Sequence, residues 1–294
     1  MAHAAFCRLS IRSTRARWAA LGAFTICALP HTTYAQRASA APKQPAQPTL
    51  AQGSVPLLTV HGLRFRDLNR DGTLQPFEDW RRSSSARAAD LVNRMTVEEK
   101  AGTAVHGTAP IAGGPMSSGP AYDSVAATAV VVGRSVTSLI TRMSIAPAEF
   151  ANANNQLQRI AERGRFSIPI TISTDPRNHF QVVGGASVAA SGFSQWPETL
   201  GFGALDEPAL VRRFATIIRR EYRAVGIHMA LSPQADLATE PRWARITGTF
   251  GEDPVRVGEL VRAYVEAQGG AVRVESHGGH GSIFEIRLPN ITAL

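Results

Sequence analysis

The feature that most restricts this chain is the alternation, over residues 168–268, of short apolar runs with longer segments of helical period. Ile168-Pro-Ile-Thr-Ile-Ser-Thr174 is brief, rich in β-branched residues and bounded by Asp175-Pro176, the pattern of a buried strand. A helix fits 207–225, with Asp206 as N-cap, Gly226 just past its end and Leu210, Phe214, Ile217 and Ile218 as its buried stripe. Ile227-His-Met-Ala-Leu231 is a second short strand. Asp253 and Pro254 then open a helix over 254–268, with Val257, Leu260, Val261 and Tyr264 facing inward. Strand, helix, strand, helix at this spacing predicts a parallel α/β fold. In a barrel of that class, function gathers where strands end and loops begin.

Two polar clusters sit at such ends. One is Ser173-Thr-Asp175; the other is Ser232-Pro-Gln-Ala-Asp236, running on to Glu240-Pro-Arg-Trp-Ala-Arg245 and Pro254. A carboxylate there can accept hydrogen bonds from hydroxyl groups, and a guanidinium can donate a fork of them. The competing reading makes Asp175 and Asp236 caps of helices or turns. Elsewhere, a helical segment near 85–94 precedes Thr96-Val-Glu-Glu99, a capping box. Residues 105–125, rich in Gly, Pro and Ser, read as a loop. A helix over 147–163 carries Phe150, Leu157 and Ile160 on one face, with Gly164 as its stop.

The front of the chain is different. Arg8, Arg12, Arg15 and Arg17 precede the apolar run Trp18–Leu29, and small residues follow up to Ala35. This is the pattern of a secretory signal over 1–35, cleaved after Ala35. The run ends at Pro30, well short of the about 20 residues a membrane span needs, so no membrane anchor is expected. Cys27 follows the bulky Ile26, which argues against lipid attachment. Both cysteines, Cys7 and Cys27, lie in this segment, so the exported chain would hold no disulfide. Removing the four arginines lowers the net charge from +8 to +4, and no run of five basic residues occurs. Nucleic-acid binding is therefore not expected. Residues 36–55, rich in Ala, Pro, Gln and Ser, read as a flexible linker, and the chain looks folded from Pro56 onward.

Near the start of that folded part, Asp67, Asn69, Asp71, Thr73 and Glu78 have the spacing of a calcium loop, with Gly72 at the turn. Thr73 would contribute its backbone carbonyl. The other reading is a tight turn stabilised by its own Asp and Asn side chains, without metal. Pro76 lies inside the loop, and Thr59–Gly62 ahead of it is not an obvious helix.

Five segments carry a family resemblance. They are Phe65-Arg-Asp-Leu-Asn-Arg-Asp-Gly72 with Phe77-Glu-Asp-Trp80, Arg94–Gly102, Ile172-Ser-Thr-Asp-Pro-Arg177, Phe193–Gly201, and Glu240–Arg245 with Phe250-Gly-Glu-Asp-Pro254. In this order they resemble the N-terminal barrel domain of family 3 glycoside hydrolases, β-glucosidases and their relatives, from about Phe65 to Gly269. The resemblance implies a TIM-type (β/α) barrel and hydrolysis of terminal β-linked glycosides by a retaining mechanism. It implies that Asp175 and Arg245 bind the terminal sugar, with Arg242 and Asp236 as supports near the pocket. Carbohydrate is the partner so implied; no cofactor is required, and calcium is an optional occupant of the loop at 67–78.

The family continues with a Lys-His pair, an Asp nucleophile in a Ser-Asp-Trp-like segment and a later acid/base. No Lys-His pair follows Arg245, and Lys100 is the last lysine. A retaining glycosidase needs two carboxylates about 5–5.5 Å apart, and no catalytic residue can be named here. The expectation is an incomplete barrel over 56–269, with about half of its eight strands. The helices at 207–225 and 254–268 would then leave part of their apolar stripes in water.

The tail over 270–294, with its Gly279-His-Gly-Ser282 turn, resembles the closing hairpin of sensor histidine kinase ATP-binding domains. The Asn-bearing helix that holds Mg-ATP is absent, so no ATP binding is expected. His277 and His280 read as turn residues, since no acidic or cysteine residue accompanies them. The reading is a periplasmic or secreted glycoside hydrolase of the β-glucosidase type, truncated before its nucleophile. The alternative is a non-catalytic truncated or chimeric product with residual sugar binding.

Overall fold

The computed structural model describes residues 45–50, 53–114, 119–182, 187, 188, 190, 192–277 and 281–287, the segments 271–277 and 281–287 as backbone alone. The leader 1–35 with Cys7 and Cys27, linker residues 36–44, and Gly279 and His280 of the tail turn lie outside the described residues.

An antiparallel hairpin comes first, β1 (Leu57–Val60) with β2 (Leu63–Arg66). Its turn is the pair His61-Gly62, both at positive φ (51° and 78°), the geometry a two-residue hairpin turn demands. Helix α1 (Ser84–Arg94) follows, then α2 (Val97–Thr103), whose capping box forms as expected: Glu99 N donates to Thr96 Oγ1 and Thr96 N to Glu99 Oε2.

The body of the fold is a parallel sheet in the order β3 (His106–Thr108), β4 (Ser138–Thr141), β5 (Thr171–Thr174), β6 (Met229–Ala230). Spatial order equals chain order, as a (β/α) barrel requires, and four strands are present among the described residues. Helices α3 (Ser124–Val131), α4 (Pro147–Ala161), α5 (Thr199–Leu205), α6 (Pro208–Ala224) and α7 (Pro254–Ala267) fill the crossovers and the segment beyond β6. His106 Nε2 on β3 meets Ser173 Oγ on β5 at 2.6 Å, across the intervening β4. Contact between alternate strands is how a barrel interior is layered.

Several boundaries differ from the sequence reading. Residues 105–125 are not all loop: β3 and the start of α3 lie within them, and His-Gly-Thr carries no apolar signature to reveal a strand. The run from Ile168 joins the sheet only at Thr171. Pro169 has no N–H, and the Gln158 side chain occupies both the N–H and the C=O of Ile170. Asp206 does not cap α6. It closes α5 in the left-handed conformation (φ 53°), leaving Glu207 as the N-cap before Pro208. Helix α4 ends at a right-handed Glu162, so Gly164 lies beyond its end rather than stopping it.

The apolar stripes of α6 and α7 are not left in water. Val211, Phe214, Ala215, Ile218 and Tyr222 of α6 are buried, as are Val257, Leu260, Ala263, Tyr264 and Val265 of α7. The two helices pack on each other and α5 closes over them, so the hydrophobic faces find partners without further strands. The Phe214 ring is the hub, with centroids of Phe202 at 4.7 Å, Trp196 at 5.4 Å, His179 at 5.6 Å and Tyr264 at 6.1 Å. Burial of each large side chain contributes about 1.5–3 kcal/mol. A Cβ at Gly203 of α5 would fall 1.9 Å from the carbonyl of Phe250, so glycine is what allows this approach. The tail forms β7 (Ala271–His277) and β8 (Gly281–Arg287), paired antiparallel with each other and not with β6.

Candidate functional site

At the C-terminal ends of the parallel strands lies a cavity of about 460 Å³, a volume suited to a small polar ligand. Asp175, one residue past β5, lines it together with Arg245 and Asp236 from the loop after β6. The fold thus gathers three of the sequence-derived residues in one place. Arg242 does not join them. Its guanidinium pairs with Glu240 at 2.8 Å on the surface, with the side chain 89% exposed, so it supports nothing in the pocket wall.

Asp175 is buried, and its Oδ2 accepts no hydrogen bond. Arg142, which follows β4, holds it only at 3.5 Å, long for a hydrogen-bonded pair. What fixes the Asp175 backbone is the neighbouring Arg177, 1% exposed. Its guanidinium donates to the carbonyls of Thr141 (3.0 Å) and Met143 (2.5 Å) and to Thr174 Oγ1 (2.6 Å), and it stacks over Phe150. Burial depresses the Arg177 pKa to about 10, still far above neutrality. The ends of β4 and β5 are locked together by one side chain.

The next residues were not singled out by their sequence. Asn178 Nδ2 donates to Glu221 Oε2 (2.6 Å) and to the Ser194 carbonyl (2.9 Å), which fixes its amide and leaves Oδ1 as a buried acceptor without a partner. His179 Nδ1 lies 2.8 Å from the Pro197 carbonyl. A carbonyl only accepts, so Nδ1 carries the proton. Burial lowers the ring's pKa and favours the neutral form, with a bare Nε2. Glu198 occupies the N-cap position of α5 yet makes no capping bond. Its Oε1 is buried and unpartnered, and burial raises its pKa to about 6. Trp243 and Ser232, the latter 3.0 Å from Tyr264 Oη, complete the wall.

A second opening of about 590 Å³ lies at the other end of the strands, beside Thr171 and His228. It is larger, but its carboxylate is already engaged: Arg66 and Glu162 pair, and Glu162 also takes two hydrogen bonds from Ser54. Barrel enzymes work at the opposite, C-terminal face.

The Asp67–Glu78 loop is remote in character from both. Asp67 and Glu78 are buried, 4% and 3% exposed. Glu78 accepts from the backbone N–H groups of Leu68 (2.7 Å), Asn69 (3.3 Å) and Gln75 (3.0 Å). Asp67 accepts from those of Asp71 and Gly72, and Asp71 accepts from that of Thr73 and from the Asn69 amide. Burial, with the Asp67 charge adding to it, raises the Glu78 pKa. A strand, not a helix, enters the loop. Among the described residues no three His, Cys, Asp or Glu side chains are grouped to hold a metal ion.

With this geometry in place, comparison with known proteins is decisive. Residues 118–281, more than half of the chain, match the Glycosyl hydrolase family 3 N terminal domain. The chain belongs to glycosyl hydrolase family 3. The match encloses the segments at 172–177, 193–201 and 240–254 and extends beyond Gly269 through β7 to Gly281, the first residue of β8. A periplasmic β-glucosidase/β-xylosidase of Dickeya chrysanthemi is 58% identical over 220 residues, 74% of this chain and 34% of that protein. β-Glucosidase C of Emericella nidulans is 46% identical over 183 residues, 61% of this chain and 29% of the relative. The chain thus spans about a third of the length of these relatives. Among solved structures, a β-glucosidase from Erythrobacter marinus superposes with a TM-score of 0.52 at 26% identity, covering 65% of this chain and 24% of that one. Such family members share a TIM-like barrel, of which the four-stranded parallel sheet is a part. No helix among the described residues is long and apolar enough to cross a membrane.

Proposed function

We propose that the cavity binds the terminal sugar of a β-linked glycoside, and that the chain carries the sugar-positioning part of a retaining β-glucosidase/β-xylosidase-type hydrolase. One observation carries this reading: a buried carboxylate with an oxygen that accepts no hydrogen bond, Asp175, stands at a strand end in the same cavity as Arg245. Asp175 would accept from sugar hydroxyls and Arg245 would donate to them. The second reading is sugar binding without turnover by these 294 residues, in which no Lys-His pair follows Arg245.

We further propose a periplasmic or secreted location, supported by the leader-like segment 1–35. For the tail, the resemblance to a kinase closing hairpin is supported by the β7–β8 pairing alone, and no ATP site is assigned to it. For the loop at 67–78 we propose calcium, held by Asp67, Asn69, Asp71, the Thr73 carbonyl and Glu78. Its support is the burial of two like-charged carboxylates that a cation would stabilise.

Calorimetric titration of methyl β-D-glucoside and methyl β-D-xyloside into the 294-residue chain tests the main reading. Binding is expected in the wild type and is expected to fall by about tenfold or more in Asp175→Ala. Aryl-β-glucoside hydrolysis is expected to be no faster than in buffer. Turnover that survives purification and disappears in Asp175→Ala would overturn the non-catalytic reading.

A further inference from the structure

Three buried side-chain oxygens lack any hydrogen-bond partner among the described residues: Asp175 Oδ2, Asn178 Oδ1 and Glu198 Oε1. All three residues line the same cavity, Asp175 and Asn178 from the segment after β5 and Glu198 from the start of α5. Leaving a buried acceptor without a donor is unfavourable, and folded proteins retain few of them. Their convergence on one cavity points to a ligand that brings several donors. Asp175 and Asn178 are held rigidly, through Arg177 and through Glu221 with Ser194. Glu198 is the less expected member. At an N-cap position a carboxylate would normally accept from the helix's free N–H groups, yet here it makes no such bond and lines the cavity instead.

We propose that Glu198 is a ligand-positioning residue of this cavity, whose carboxylate accepts a hydrogen bond from a hydroxyl of the bound sugar beside Asp175 and Asn178. The inference rests on the sugar-binding reading above and adds to it a residue and a pH dependence. Because burial holds the Glu198 pKa at about 6, the free cavity has Glu198 largely neutral in mild acid. A hydroxyl donated to it favours the ionised form, so ligand binding and deprotonation promote each other. The charged groups around the cavity are Arg142 after β4, Asp175 after β5, and Asp236 and Arg245 in the loop after β6. Tyr222 of α6 and Tyr264 of α7 also face it, and burial raises both of their pKa values, Tyr264 to about 12. Burial also lowers the His179 pKa below its ordinary 6.5, so the Glu198 variant is needed to separate the two residues.

The experiment titrates methyl β-D-glucoside into the 294-residue chain between about pH 5 and about pH 7. Wild-type affinity is expected to rise several-fold across this range. Glu198→Gln keeps the shape but cannot ionise; it is expected to bind about tenfold more weakly at the upper end and to flatten the profile. In parallel, carboxyl ¹³C NMR of the wild type is expected to show the Glu198 titration move to lower pH when glycoside is bound. That readout does not depend on the variant's folding. Wild-type affinity and pH profile in Glu198→Gln, with binding lost in Asp175→Ala, would overturn the Glu198 assignment and leave the cavity reading intact. An unmoved Glu198 titration in a saturated wild type would do the same. Absence of glycoside binding, or binding indifferent to Asp175→Ala, would overturn both.

Discussion

Two clusters of acidic and amide side chains in this molecule look alike in sequence and behave differently in space. In the loop at 67–78, the carboxylates of Asp67, Asp71 and Glu78 accept hydrogen bonds from backbone N–H groups of the same loop. In the cavity at the strand ends, Asp175, Asn178 and Glu198 each keep an oxygen that accepts no hydrogen bond, although Arg142 stands 3.5 Å from that of Asp175. The first cluster spends its acceptors on the chain's own shape. The second holds them in reserve, at a cost in stability, which is what a binding site does. Burial alone does not separate the two, since Glu78 and Asp175 are 3% and 6% exposed. Where the hydrogen bonds go does.

The largest expected effect sets the clusters directly against each other. Glu78→Ala strands three backbone donors in a buried loop and should destabilise the fold by about 3 kcal/mol or more. Asp175→Asn removes a charge that accepts no hydrogen bond at Oδ2 and has only a 3.5 Å ion pair with Arg142, and should change stability by less than about 1 kcal/mol while weakening glycoside binding by about tenfold. Urea unfolding of both variants measures this. Equal destabilisation would show that Asp175 is a structural residue after all.

A smaller effect concerns calcium. Millimolar calcium should stabilise the fold by linkage, by about 2.7 kcal/mol if the ion stands at 100 times its Kd, and so raise the thermal midpoint; Glu78→Gln should remove most of the gain. No response in the wild type would return the loop to a turn that is complete without an ion.

The smallest effect is the pH dependence of folding. The Glu198 pKa is about 6 in the folded chain against an ordinary 4.5, so between these values the folded state holds the extra proton. This residue's contribution to stability is therefore greatest at low pH and falls as pH rises from 4.5 to about 6. The His179 pKa is lowered, so its contribution rises with pH over the range below its ordinary 6.5. The thermal midpoint of the wild type minus that of Glu198→Gln isolates the first term. It should decline by about 1–2 °C over that window, a size limited by solvent screening of a partly exposed group. A rise would mean that Glu198 is stabilised as the anion.

By itself, the sequence determined the class of fold, the family and those elements that carry a local signal, while β3, β4, α3 and α5 went unread. Apolar periodicity, the Thr96–Glu99 capping box and the Asp253-Pro254 start are local signals, and local signals survive into the structure. The motif at 172–177 marked Asp175, because a carboxylate after a β-branched run is visible in one dimension. Tertiary structure decided the rest. Only packing shows that Arg177 clamps two strand ends, that Gln158 takes Ile170 out of the sheet, and that α5, α6 and α7 bury one another's apolar faces. The role of Glu198 depends on a bond it does not make, and the absence of a partner is a property of three-dimensional surroundings that no spacing of residues can encode.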